Sequence, residues 1–119
     1  MGLDAQLRTI NTNANGAKRH EGTIALATFH KFYPLHMWVK DNIRNGSVHF
    51  TEGYPVIVEA ELSANDIQRA YIDIANAMGV STDIHSTNSN PDLSSMRNAY
   101  QHAVQYGEDT PCVYYGGDC

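Results

Sequence analysis

At 119 residues and 13.2 kDa, 42% of it hydrophobic, the chain has the size of one domain and enough apolar surface to offset its ordering entropy. Its net charge of −5 is uneven: residues 1–60 carry six Lys/Arg against five Asp/Glu, and residues 61–119 carry two against eight. Only Lys18, Arg19 and His20 approach the basic cluster that phosphate binding needs, so general nucleic-acid binding is disfavoured, and no run of about 18 apolar residues exists to span a membrane.

The first element is a strand over Ala5–Ile10, with Leu7 and Thr9 on one side and Gln6 and Arg8 on the other. NTNANGAKRHEG follows as a polar hairpin connection, with Asn15-Gly16 as its tightest turn. Thr23–Phe32 is the partner strand, dividing into an Ile24, Leu26, Thr28, His30, Phe32 face and an Ala25, Ala27, Phe29, Lys31 face. Pro34 suits the first turn of a helix whose apolar side is Leu35, Trp38, Val39, Asn42 and Ile43. That spacing puts His36, Lys40, Asp41 and Arg44 on the solvent side, and Asn45-Gly46 supplies a left-handed stop.

Val48 and Phe50 alternate with His49 and Thr51, EGYP turns the chain, and Pro55–Leu62 completes a β-hairpin. Ser63 with Asp66 resembles a helix cap, and Ile67, Ala70, Tyr71, Ile74, Ala75 and Met78 form a helical stripe that ends at Gly79. Ser81–Asp92 is long and polar, the composition of a segment that is either mobile or functional. Pro91 opens a third helix with Leu93, Met96, Tyr100, Ala103 and Val104 inward and Gly107 as its stop; Pro111–Tyr115 is a short last strand before GGDC. The order predicts a single α+β domain over 1–119, a small antiparallel or mixed sheet with about three helices packed on it.

Complete catalytic motifs are missing from this pattern. There is no nucleophile elbow and no glycine-rich phosphate loop, and Cys112 reads as a buried thiol in an apolar strand. No cofactor is expected. A metal site could form only if His30, His36 and His49 met at the strand-to-helix junction, with Asp41 or Glu52 nearby, because no histidine pair has helical ligand spacing. Glu59 and Glu61 share a strand face, as Asp83 and His85 would in an extended loop, and both pairs read first as solvated rows. Tyr106, Tyr114, Tyr115 and Tyr54 are the candidate binding residues, since tyrosine supplies rigid amphipathic contact area; the competing expectation is that about half of the tyrosines are core.

The opening MGLD together with TFHKFYPLHMWVKDNIRNG resembles a group of small, functionally uncharacterised phage proteins. The matching positions are Met1, Gly2, Leu3 and Asp4, then Lys31, His36 and Trp38, then Asn42, Asn45 and Gly46. The resemblance spans the first half of the chain, and the carboxyl half, ending YGEDTPCVYYGGDC, departs from the group's pattern. It implies a viral origin and expression in the host cytoplasm, but no activity. MGLDAQLRTI also lacks the layout of a secretory signal and Gln6 fails the myristoylation pattern, which agrees with an intracellular setting where Cys112 and Cys119 are free thiols.

The function these observations suggest is non-enzymatic: a phage- or virus-encoded protein binding a host protein, inhibition of a defence system such as CRISPR being one form. A histidine-based metal protein or enzyme and a virion or assembly component are the alternatives, and self-association stays open.

Overall fold

The computed structural model describes residues 3–12, 18–19, 24–43, 46–51 and 54–118, with nothing to be said of the side chains at 11, 12, 18, 19, 51 and 54–56. Among the described residues, five strands and three helices follow one another in the order the sequence predicts, and two further short strands lie in the segment read as a polar connection. In chain order they are β1 (Asp4–Thr9), β2 (Asn11–Thr12), β3 (Lys18–Arg19), β4 (Ala25–His30), α1 (Tyr33–Asn42), β5 (Gly46–Thr51), β6 (Tyr54–Leu62), α2 (Ala64–Met78), α3 (Pro91–Ala103) and β7 (Val113–Asp118). A 3₁₀ turn over Val104–Tyr106 extends α3. β2 and β3 make a small ribbon beyond the β1–β4 hairpin; the remaining strands form one antiparallel sheet in the order β4-β1-β7-β6-β5. The proposed Asn15-Gly16 turn, and Glu52-Gly53 of the EGYP turn, lie outside the described residues.

One face of the sheet is covered and the other is not. Ala5, Leu7, Ala27, Phe29, Val58, Ala60, Leu62, Val113 and Tyr115 are buried, while their strand neighbours are half-buried or exposed, the period of two that a half-covered sheet imposes. α1 crosses from one edge of the sheet to the other, packing on β6 and α2, and α3 packs on α2 and β4. Ile67, Ala70, Tyr71, Leu93, Met96 and Ala99 join the sheet residues in one hydrophobic cluster. No helix among the described residues is long and apolar enough to cross a membrane.

Local chemistry explains the helix boundaries. Ser63 accepts the Asp66 N–H and the Asp66 carboxylate accepts the Ser63 N–H, a reciprocal cap on α2. Gly79 at φ 72° ends α2 in the left-handed conformation that glycine adopts without steric cost. Asn90 caps α3 through Oδ1, which accepts the N–H groups of Asp92 and Leu93. Of the predicted Asn45-Gly46 stop, Asn45 lies outside the described residues and Gly46 is not left-handed: α1 ends at Asn42, Ile43 is extended, and Gly46 opens β5. Glycine is needed there because a Cβ would run into the backbone carbonyl of Glu59. At the other end of α1, where the chain leaves β4, Lys31 is left-handed at φ 58° and its N–H donates to the Leu3 carbonyl at 2.7 Å.

One further expectation is corrected. Val104 is exposed, because α3 tightens into the 3₁₀ turn and rotates it off the inward face, where Ala99 lies instead. The long polar segment after α2 is tied down: Ile84 is buried, Asp83 accepts the His85 N–H at 2.9 Å and the Ser86 hydroxyl at 2.8 Å, and Asn88 donates to the buried Tyr71 hydroxyl at 3.3 Å. Those two carboxylate contacts hold the Asp83 pKa below the ordinary range.

Candidate functional site: the uncovered sheet face

The alternation that buries one half of each strand leaves the other half as a broad polar surface. Register assembles it into rows. Asp118 on the central strand lies between Asp4 and Ile57, with His30 beyond Asp4 and His49 beyond Ile57. Gly116 lies between Gln6 and Glu59, flanked in turn by Thr28 and Ser47. Tyr114 lies between Arg8 and Glu61. Among the described residues the face therefore presents four carboxylates, Asp4, Glu59, Glu61 and Asp118, against the guanidinium of Arg8.

Tyr114 organises the middle of this surface. Its ring folds over Gly116, so close that a Cβ there would meet the ring edge at 3.0 Å, and its hydroxyl donates to the Glu59 carboxylate. Burial raises the Tyr114 pKa, and the Glu59 charge and the hydrogen bond push it the same way. Arg8 donates to Gln6 Oε1 at 2.5 Å, and beside them Asp4, Gln6, Thr28, His30 and Gly116 line a shallow depression of about 380 Å³. His30 Nδ1–H donates to Asp4 at 2.9 Å; both side chains are 78% exposed, and an ion pair so open to water contributes little to stability.

The candidate tyrosines separate. Tyr114 is on this face. Tyr115, one residue on, points to the helices and is fully buried, so its place as a binding residue is corrected to core. Tyr106 is 55% exposed in the 3₁₀ turn, packed on the His102 ring at 5.3 Å. Tyr54 opens β6, and its side chain lies outside what is described.

The three histidines of the metal reading do not converge. His30 and His49 occupy opposite edges of the uncovered face, four strand spacings or roughly 19 Å apart. His36 is on the other side of the sheet and, against expectation, fully buried. Its Nδ1 and the Tyr115 hydroxyl are 2.9 Å apart, and both reach the space left by Gly117. Asp41 pairs with Lys40 at 2.8 Å, and Glu52 lies outside the described residues. Among the described residues no three His, Cys, Asp or Glu side chains form a group that could hold a metal ion. Cys112 is half-buried with its thiol 3.6 Å from the Ala103 carbonyl, and burial raises its pKa, the opposite of what a nucleophile needs.

A second concavity, about 490 Å³, separates α1 from α2 and includes Pro34, Trp38, Asp73, Ile74 and Met78. Trp38 Nε1–H donates to Asp73 at 2.7 Å, and the Arg69 guanidinium sits 5.6 Å from the Trp38 ring centre. These contacts tie the two helices together.

The seat of Tyr114 was beyond sequence reading, because it needs the pairing of β6 with β7 as well as the alternation within each. No protein-family model, curated protein or solved structure matches the chain.

Proposed function

We propose that this is a non-enzymatic, phage- or virus-encoded binding protein that acts inside the host by laying its uncovered sheet face against a basic surface of a host protein. The observation that carries the proposal is the composition of that face among the described residues: four carboxylates and one arginine around a central tyrosine, on a rigid antiparallel scaffold. Five strands at about 4.8 Å and six residues at about 3.4 Å give a flat area of roughly 500 Å². With its rim, that approaches the roughly 800 Å² per partner of a standard interface. Single-signed charge speeds encounter with a surface of opposite sign and repels nucleic acid, while Tyr114 supplies a contact with few rotamers to immobilise.

The viral part of the proposal rests on the resemblance around Met1–Asp4 and Lys31–Gly46 to small phage proteins. Host defence proteins that grip nucleic acid, CRISPR effectors among them, present basic surfaces of the required kind. Blocking such a surface is the concrete action we assign.

Affinity capture from host lysate tests this with two baits, the wild-type protein and Glu59→Gln/Glu61→Gln/Asp118→Asn. The expected result is a partner retained by the wild type at low salt, released at high salt and lost with the triple variant. A partner held equally by both baits, or none above background, refutes it. Recovery of the protein as a constituent of purified particles would favour the virion component instead.

A further inference from the structure

We propose that β5 is a self-pairing edge, and that the protein associates as a two-fold dimer through antiparallel β5–β5 contact. The inference is independent of what the uncovered face binds. The two edges of the sheet differ. β4 is in extensive contact with α3, whereas β5 is hydrogen-bonded to β6 alone in the sheet and has no helix in comparable contact among the described residues. Exposed edges are normally blunted by lysine, proline, inward charge or a bulge. β5, GSVHFT, has no lysine, proline or carboxylate, and the irregularity in the hairpin leaves the extra residue, Val56, on β6. Gly46 to His49 is thus a regular run of open backbone donors and acceptors.

The second copy is identified by self-complementarity. Pairing centred on Val48 places Val48 opposite Val48 of the partner subunit, Ser47 opposite His49 of the partner subunit, and Gly46 opposite Phe50 of the partner subunit. Val48 faces the helix side with Val58, and Phe50, two residues on, shares that side and is 59% exposed. In this register the Phe50 ring lies against a residue with no side chain and covers it, the arrangement by which an aromatic compensates a strand glycine. On the opposite side an imidazole meets a hydroxyl. No row brings like charges together, which matters in a protein of net charge −5, and the β5 run bears no formal charge at all.

The two-fold axis stands perpendicular to the sheet, so the dimer is a continuous ten-stranded sheet with both uncovered faces on one side. Tyr114 lies three residues along β7 from Gly117, which is level with Val48, so the two Tyr114 residues are five strand spacings across and about 20 Å along the strands, roughly 31 Å apart. Two carboxylate-rich faces held in one plane make the protein bivalent, so a partner with two basic patches is held by effective concentration as well as by contact.

Sedimentation velocity from low micromolar to near-millimolar protein tests the dimer, with circular dichroism confirming that each variant is folded. The wild type should show concentration-dependent dimerisation. Ser47→Lys/His49→Lys puts like charges opposite each other twice and should weaken association about tenfold or more. Ser47→Lys/His49→Glu, which keeps the added lysine but makes each pair opposite in sign, should restore it. As a readout that needs no variant, amide exchange at Gly46–Phe50 in the wild type should slow as protein concentration rises. A wild type that stays monomeric throughout, exchange that is independent of concentration, or two double variants that behave alike would each overturn the proposal.

Discussion

Gly117 is the position whose replacement the structure condemns most clearly. It lies in the central strand, and a Cβ built on it would be 2.6 Å from both His36 Nδ1 and the Tyr115 hydroxyl. Neither neighbour can retreat freely: both are 0% exposed and they are 2.9 Å from each other. Gly117→Ala must therefore overpack the site, at about 1–3 kcal/mol, and push apart a buried polar pair, leaving groups unsatisfied at about 1–3 kcal/mol more. A total of about 2–6 kcal/mol is a large share of the roughly 5–15 kcal/mol that holds a domain together. Urea denaturation followed by fluorescence of the single tryptophan measures the loss directly. The diagnostic comparison is the double variant His36→Ala/Gly117→Ala. His36→Ala alone removes packing and the 2.9 Å contact with the Tyr115 hydroxyl, yet it also removes one of the two atoms the new methyl would meet at 2.6 Å, so the double variant should be more stable than the sum of the singles by at least about 1 kcal/mol. A Gly117→Ala protein within about 0.5 kcal/mol of wild type, or strictly additive losses, would refute this account of the site.

The reciprocal cap on α2 predicts that Ser63→Ala lowers unfolding free energy by about 1 kcal/mol in the same assay, since it orphans the Asp66 N–H. Tyr114 should titrate above the ordinary phenol range by absorbance, and Glu59→Gln should move it part of the way back. Burial, the largest cause, keeps the remainder, and an unchanged titration would dissolve the Tyr114–Glu59 link. Because the folded-state value is raised, that contribution to stability is complete below the ordinary phenol pKa of about 10 and is lost as pH rises through the folded value. Asp83 has the opposite sign: held low by the His85 N–H and the Ser86 hydroxyl, it contributes above the ordinary carboxylate pKa of about 4 and loses that contribution as pH falls through its lower folded value. Asp83→Asn should therefore flatten the acid limb of the stability curve. Cys112, its pKa raised by burial, should react with iodoacetamide at neutral pH more slowly than a free cysteine does.

What sequence alone made legible was whatever is specified within one turn or one strand. The alternation in TIALATFHKF set Ala27 and Phe29 on one face and Thr28 and His30 on the other, without saying which was core, and Ser63, Asp66 and Gly79 bounded α2 to the residue. What stayed hidden depends on residues far apart in the chain. His36 looked solvent-facing because helical spacing places it beside Lys40, yet it is buried because Gly117, on the strand beneath, leaves room for an imidazole and Tyr115 supplies its partner. Two adjacent glycines read as a chain end because glycine weakens strands. Here each is required by a side chain from elsewhere in the surface, Tyr114 above Gly116 and His36 above Gly117. Tyr114 and Tyr115 could not be told apart in VYY, where both parities are aromatic, until β1 and β6 set the register on either side.

The position of β7 has a consequence for how the protein comes into being. β1 with β4, and β5 with β6, are local hairpins that can form as soon as each is synthesised, but neither touches the other within the sheet: the last strand joins them. Until Val113–Asp118 is in place, the molecule is two half-sheets with raw inner edges at β1 and β6, the kind of surface that recruits stray strands. Assembly is then a closing of the middle by a strand that follows both hairpins in the chain. By the same logic, a short peptide carrying Val113–Asp118, supplied separately to a chain that stops before it, would act as a keystone, and its insertion would turn two loose hairpins into one continuous sheet.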